Sequence, residues 1–406
     1  MSNWQQTTLG AVCKAGGGNI QTGPFGSQLH ASDYVESGIP SVMPQNIGDN
    51  RIIDDGIARI TEDDARRLSK YRLRTNDIVY SRRGDVERRA LVRFENNGWL
   101  CGTGCLKVSF GDHPVVDPAF VSYFLGTPRS REWIVRHAVG ATMLNLNTKI
   151  LENVPLQLPS LTEQQDVAKV LGALDDKIAA NTTLGHTVEA FGSAEFARLG
   201  LDVEPTDDGI LLDDLFDLNP RRTVTSDSTT IIDMKALPTA SPLVEEWTTG
   251  VRKGGARFKN GDTLVARITP CLENRKTAFV DFLDDEEVGI GSTEFIIMRS
   301  KNDLPLGLSY FMAISERFRD FAIQNLVGTS GRQRVSAADL ARHTLSPVDV
   351  SELQEFGKWA DDNLKFLGSL REENRTLAEI RDALLPQLMS GKLRVKDAEK
   401  IVEDTI

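Results

Sequence analysis

The feature that most constrains this chain is that it repeats itself. The stretch NDIVYSRRGDVERRALV at 76–92 aligns with GDTLVARITPCLENRKTAFV at 261–280, setting Asp77 opposite Asp262 and Arg82 opposite Arg267. Further on, AVGATMLNLNTKILENVPLQLP (138–159) aligns with LVGTSGRQRVSAADLARHTLSP (326–347), and LTEQQ (161–165) with VSELQ (350–354). Matched positions lie 185 residues apart at Asp77 and Asp262, and 189 apart at Glu163 and Glu352. Solenoid repeats recur every ~20–50 residues, so an interval this long means two copies of a whole domain. A chain of 406 residues is long enough for each copy to bury its own core.

Each copy ends in a long helical pattern. In 162–199 apolar residues fall at Val167, Val170, Leu171, Leu174, Ile178, Leu184, Val188 and Phe191, a spacing that places them on one face. In 351–385 the stripe is Leu353, Phe356, Ala360, Leu364, Leu367, Leu370, Leu377, Ile380 and Leu384. Thr162 and Ser351 are the expected N-caps. Gly185 and Gly192 each weaken the first helix by up to ~1 kcal/mol, so a bend or an early stop is expected in its second half. Neither stripe can be buried by its own helix. Pairing the two helices buries both, and the path domain–helix–domain–helix makes that pair antiparallel with a globular domain at each end. The competing arrangement packs each helix on its own domain.

The globular copies read as α+β, mixed domains of short strands and a few helices. RIIDDGIARI, DIVYSRR, ALVRF, CLKVSF, TLVARI, TAFVDF and EFIIMRS are strand-like. PAFVSYFLGTPRSREWIVRHA and LGLSYFMAISERFRDFAIQNL are helical patterns that match between the copies. The expected division is a first domain at 1–159, a spacer helix at 160–200, a second domain at 201–348, a second spacer helix at 349–390 and a tail at 391–406. Residues 200–211 are the expected link between the halves.

The net charge of −11 argues against a protein coated in positive charge for generic nucleic-acid binding. The charge is unevenly spread, however. Ten cations from Arg66 to Arg93 face only Asp77, Asp85 and Glu87, and seven from Arg252 to Lys276 face only Asp262 and Glu273. Such runs are usually solvated faces. Two in matching places of a duplication are a stronger signal.

Enzyme signatures are missing. The GGG at 16–18 lacks a strand–G-x-G-x-x-G–helix context, and there is no phosphate-binding G-x-x-x-x-G-K-[ST]. LNPRR at 218–222 has the NP of an amino-methyltransferase motif without the following proline and aromatic that would hold a target amine. CGTGC at 101–105 would need a second pair of ligands to bind zinc, so no metal site is expected. The five histidines form no i,i+4 pair, and the four cysteines are too few for a disulfide framework. No apolar run approaches the ~20 residues of a membrane span. MSNWQQTTLG has no basic-then-apolar export signal, so a cytoplasmic, non-catalytic protein is expected.

Four stretches bring a known family into view: GPFGSQLHASDYVESGIPSVMPQNI, LNLNTKILENVPLQLPSLTEQQDVAKVLGALDDKI, LFDLNPRR and LLPQLMSGKLRV. On these, and on the duplicated plan, the chain resembles the specificity subunit of type I restriction–modification systems over essentially its full length. It departs from the pattern at LSPVDVSELQEF, which replaces a proline-rich junction, and in having no GPFGS in its second half. The resemblance implies two target-recognition domains separated by two helices in an antiparallel, pseudo-twofold coiled coil. Each domain would read one half of a split double-stranded DNA target, and two methyltransferase subunits would dock on the helices. Restriction endonuclease subunits would join the larger complex. Adenine methylation would use S-adenosylmethionine held by the methyltransferase and not by this chain. A scaffold that never reads bases, and a methylation-only defence system without a nuclease, are the alternatives.

The residues expected to touch DNA follow from chemistry. Gln and Asn can pair with adenine and Arg with guanine, and Arg also meets phosphate. In the first domain they are Ser27, Gln28, Asn46, Arg82, Arg83, Arg88 and Arg89. In the second they are Arg221, Arg267, Arg275, Arg332 and Arg334, with the small-residue loop GTSGRQRVS (328–336) favoured. The target sequence is not legible from these positions, because DNA shape contributes to base preference as well.

Overall fold

The computed structural model describes residues 4–205, 209–224, 228–301, 303–329 and 331–405. The chain divides into two units, one of Met1–Asp176 with Leu377–Ile406 and the other of Lys177–Thr376.

Two four-stranded sheets form the frame of the first unit. One has the order Ile20–Thr22, Cys105–Val108, Ile78–Ser81, Arg89–Leu91, antiparallel throughout. The other runs Tyr34–Val35, Arg59–Ile60, Ile39–Val42, Leu100–Cys101, and its last pair is parallel. All four residues of Ile78–Ser81 are buried, which is why this strand reads as a continuous apolar run. Val42, Ile47, Val79, Ala90, Val92, Cys101 and Cys105 form one core of this unit. RIIDDGIARI pairs as a strand only at Arg59–Ile60. Its centre turns, with the Ile57 N–H donating to the Asp54 carbonyl at 3.0 Å and Gly56 at φ +59°.

The helical pattern that follows splits into Pro118–Gly126 and Pro128–His137. Thr127 caps the second helix and Pro128 takes its first turn, where a missing N–H is not needed.

The second unit repeats the plan. Its main sheet has the order Phe216–Leu218, Phe295–Ser300, Thr263–Ala266, Thr277–Phe279, the same sequence of roles as in the first. A second sheet runs Thr248–Gly250, Thr229–Ile232, Gly289–Gly291, Ala256–Phe258. Helices Leu308–Ile314 and Glu316–Gln324 follow. Of the expected link at 200–211, Ile210–Leu211 pairs with Thr344–Leu345, and 206–208 lie outside the described residues.

The long helices are Leu161–Arg198 and Val350–Leu388. The first runs unbroken past Gly185 and Gly192, contrary to the expected bend. Gly192 is there for packing: a Cβ would collide with the Phe311 ring and fall 2.7 Å from Trp359. The N-caps each lie two residues earlier than expected. Ser160 Oγ accepts from the Glu163 N–H at 3.3 Å, and Asp349 Oδ1 accepts from Ser351 N–H at 2.8 Å.

In the second unit, Asn181, Phe191 and Phe196 meet Glu373, Trp359 and Phe356, so the helices pair antiparallel. In the first, Asp175 meets Arg381. The stretch 391–406, expected as a tail, carries a helix at Val395–Thr405 with Ala398 buried. Among the described residues no helix is long and apolar enough to cross a membrane.

Candidate nucleic-acid interface

In each unit, a central strand of the main sheet is followed directly by an arginine held in one backbone clamp. Arg82 N–H donates to the Gly104 carbonyl at 2.8 Å, and the Arg82 carbonyl accepts from Leu146 N–H at 2.8 Å. Arg267 N–H donates to the Glu294 carbonyl at 3.0 Å, and its carbonyl accepts from Val335 N–H at 3.0 Å. Both arginines are half-buried, and both have a buried Nε with no hydrogen-bond partner. Among the described residues neither forms an ion pair. Each guanidinium therefore keeps donors free for an outside acceptor.

A hairpin lies beside each arginine. Val139 pairs with Asn145, which also bridges to Arg83. Val327 pairs with Arg334, which also bridges to Ile268. Gly140 and Gly328 follow the two valines at φ +129° and +134°, a backbone that residues with a side chain rarely adopt. Both valines are exposed. Ser330, part of the favoured loop GTSGRQRVS, lies outside the described residues.

The turn leaving the edge strand completes the site, and here the units differ. GPFGS follows Ile20–Thr22 and exposes Phe25, whose ring lies 5.6 Å beneath the Arg82 guanidinium. In the second unit the topological counterpart is NPRRT, following Phe216–Leu218. The second half thus has an equivalent of the GPFGS turn, built from arginines. Arg221, Arg222, Arg257 and Arg267 line a cavity of about 670 Å³ with Asn219, Thr223 and Thr293, and no carboxylate is in its wall. Arg222 forms a two-pronged ion pair with Asp262, which is 0% exposed and is also held by Arg299 at 2.8 Å. Two cations on one carboxylate leave a net positive charge at the cavity wall.

Several expected contacts are occupied inside the fold. Asn46 is 2% exposed; its Oδ1 accepts from Met43 N–H at 3.0 Å and its Nδ2 donates to the Ile53 carbonyl at 3.2 Å. Both ends that would read adenine are spent on a turn. Arg89 is 7% exposed, its Nε donates to the Ser122 carbonyl at 2.6 Å, and burial pulls its pKa down. It is a core arginine. Gln28 Oε1 accepts from Phe25 N–H at 3.2 Å and from the Tyr71 hydroxyl at 2.9 Å, so it braces the GPFGS turn. Arg334 is bidentate on Glu294 at 2.7–3.0 Å, which neutralises it.

Other expected positions stay open to solvent. Ser27, Arg83, Arg221 and Arg332 are exposed, with no side-chain ion pair among the described residues. Arg88 lies 4.0 Å from Asp85 and Arg275 3.7 Å from Glu189, both loose pairs. Sequence reasoning missed Arg222 and Arg257. The adjacent arginine of LNPRR was the available signal for the first. Arg257 lies in the basic run from Arg252 to Lys276, but nothing local singles it out, because its place depends on pairing with Ile290.

Half of the ten cations at 66–93 are tied up in ion pairs within the unit. Arg66, Arg67, Arg72, Arg74 and Arg93 pair with Asp63, Asp64, Glu62, Asp112 and Asp176. Cys13 and Cys101 are buried thiols whose pKa burial pushes up to about 12, which leaves them inert. Among the described residues no group of three or more His, Cys, Asp or Glu could hold a metal ion.

Residues 1–190 match the family model of the type I restriction modification DNA specificity domain. The match covers just under half of the chain, so it is the first part of the chain that is similar to this domain. The chain is 25% identical over 206 residues to the EcoEI specificity subunit of Escherichia coli, covering 48% of this chain and 34% of that protein. Against the EcoBI specificity subunit of Escherichia coli the figures are 22% over 167 residues, 41% and 34%. The match thus spans about a third of the length of these curated relatives. A type I restriction–modification S subunit from M. genitalium shares the fold, with a TM-score of 0.54 at 13% identity, covering 95% of this chain and 96% of that one. The tandem mixed α/β domains and long helices are therefore a fold that this chain shares with that S subunit.

Proposed function

We propose that this chain is the DNA-recognition subunit of a type I restriction–modification complex, each unit reading one half of a split double-stranded target. The observation that carries the reading is the pair of clamped arginines, Arg82 and Arg267. They stand at equivalent strand ends with no ion pair among the described residues, each beside a turn and a hairpin. Phosphate contacts supply affinity and side chains in a groove supply sequence. Local cationic sites reconcile this role with a net charge of −11.

In this reading the chain is non-catalytic and works in the cytoplasm. Its partners are two methyltransferase subunits, docked on the helices, and restriction endonuclease subunits. S-adenosylmethionine is bound by the methyltransferase and not by this chain. The test is a genome-wide map of methylated adenine in cells carrying the partner methyltransferase, with and without this protein. A split motif with a fixed unread gap, present only with this chain, is the expected result. Unchanged methylation with the proteins still co-purifying would instead make the chain a scaffold.

A further inference from the structure

The duplication sorts the interface into what both units share and what each has alone. Both units share an arginine clamped by the same two backbone hydrogen bonds at the same strand end, with its Nε buried and unpartnered. What differs is the turn beside it. The first unit offers an exposed aromatic, Phe25, followed by Gly26 and Ser27. The second offers Arg221, Arg222 and Thr223 around a cavity without carboxylates.

We propose that Arg82 and Arg267 are equivalent phosphate anchors that carry no sequence information, and that the flanking turns, through Phe25 and Arg221, set which half-site each unit accepts. The inference rests on the reading above and assigns roles within the same site. Phosphate is the part of DNA that every target has, so its anchor can be the same residue in both units. Base edges differ between half-sites, so their readers must be free to differ. An exposed aromatic suits apolar contact with a thymine methyl group or a base face. An exposed arginine suits the paired acceptors of guanine. Clamped backbone also suits an anchor, because the guanidinium is placed before DNA arrives and less entropy is lost on contact.

The experiment uses the complex of this chain with its methyltransferase partners. Binding to target and unrelated duplexes is measured across salt concentrations, and the methylated motif is mapped in cells. Arg82→Ala and Arg267→Ala are expected to weaken both duplexes by the same factor, and each to lower the salt slope by about one. The methylated motif stays the same. Phe25→Ala and Arg221→Ala are expected to weaken the target alone and to relax the motif in one half, a different half for each.

The assignment is overturned if either clamped-arginine variant relaxes the motif, or if either turn variant weakens both duplexes equally. A wild-type complex with no preference among duplexes and no split motif would instead sink the DNA-recognition reading beneath it. Melting curves guard against unfolding, which is not expected because neither clamped side chain donates a hydrogen bond among the described residues.

Discussion

Arg381 donates to Asp175 at 2.8 Å, joining the far end of the second long helix to the middle of the first within one unit. Asp175 is buried and accepts a second bond from the Tyr123 hydroxyl at 2.6 Å. Burial alone would loosen the Arg381 charge, but Asp175 and Asp49 outweigh it and hold the guanidinium protonated. Breaking a buried pair by removing one partner typically costs about 3–5 kcal/mol. Asp175→Ala should therefore lower the denaturation midpoint of the first unit strongly, whereas removing only the hydroxyl with Tyr123→Phe should cost ~1–2 kcal/mol. Chemical denaturation followed by circular dichroism measures both.

The two glycines of the first long helix should answer differently to alanine. At Gly185 a Cβ would meet only Leu367, at 3.7 Å, an ordinary contact. Gly185→Ala should stabilise by up to ~1 kcal/mol through helix propensity. At Gly192 the Cβ would collide with the Phe311 and Trp359 rings. Gly192→Ala should destabilise by about 1–3 kcal/mol, overpacking outweighing propensity. Equal shifts in melting temperature for the two variants would contradict the packing described here.

Asp262 anchors two arginines and is fully buried. Asp262→Ala leaves both cations without their carboxylate and should cost about 3–5 kcal/mol in the second unit. Arg299→Ala leaves Arg222 to neutralise Asp262, so it should cost clearly less. Reversal of that order in denaturant melts would exclude the shared-carboxylate arrangement.

His343 gives the second unit a pH dependence. The ring is buried against Phe318 and Phe321, neither ring nitrogen has a partner among the described residues, and burial with the Arg317 charge lowers its pKa from 6.5 to about 4. Between those values the unfolded chain binds the proton and the folded one does not. Stability is therefore full above about pH 6.5 and is lost as pH falls toward 4, by on the order of 2 kcal/mol. His343→Leu should flatten this part of the stability profile, measured by denaturant titration at pH 7 and pH 5.

The duplication, the long helices and most core strands were legible in the sequence because each rests on a local pattern. Ile78–Ser81 and Thr263–Ala266 are apolar runs after an acidic turn, and their burial follows from that pattern. The fate of the charges was not legible. Arg93 meets Asp176 across 83 residues, and Arg51 meets the same carboxylate across 125, so no local reading could discount them. Asn46 and Arg89 look like free polar residues until the fold buries them. Of the expected interface, the clamped arginines stood out only because the repeat aligned them. That neither forms an ion pair among the described residues follows only from the fold.

The first unit is completed by chain that lies about two hundred residues downstream of its own domain, since 377–406 belong with 1–176. During synthesis at about 5–20 residues per second, the first domain waits on the order of ten seconds or more for Arg381 to reach Asp175. Meanwhile the second unit, continuous from 177 to 376, can assemble in order of synthesis. The part made first is thus finished last, and loss of residues 377–388 would be felt at the opposite end of the sequence.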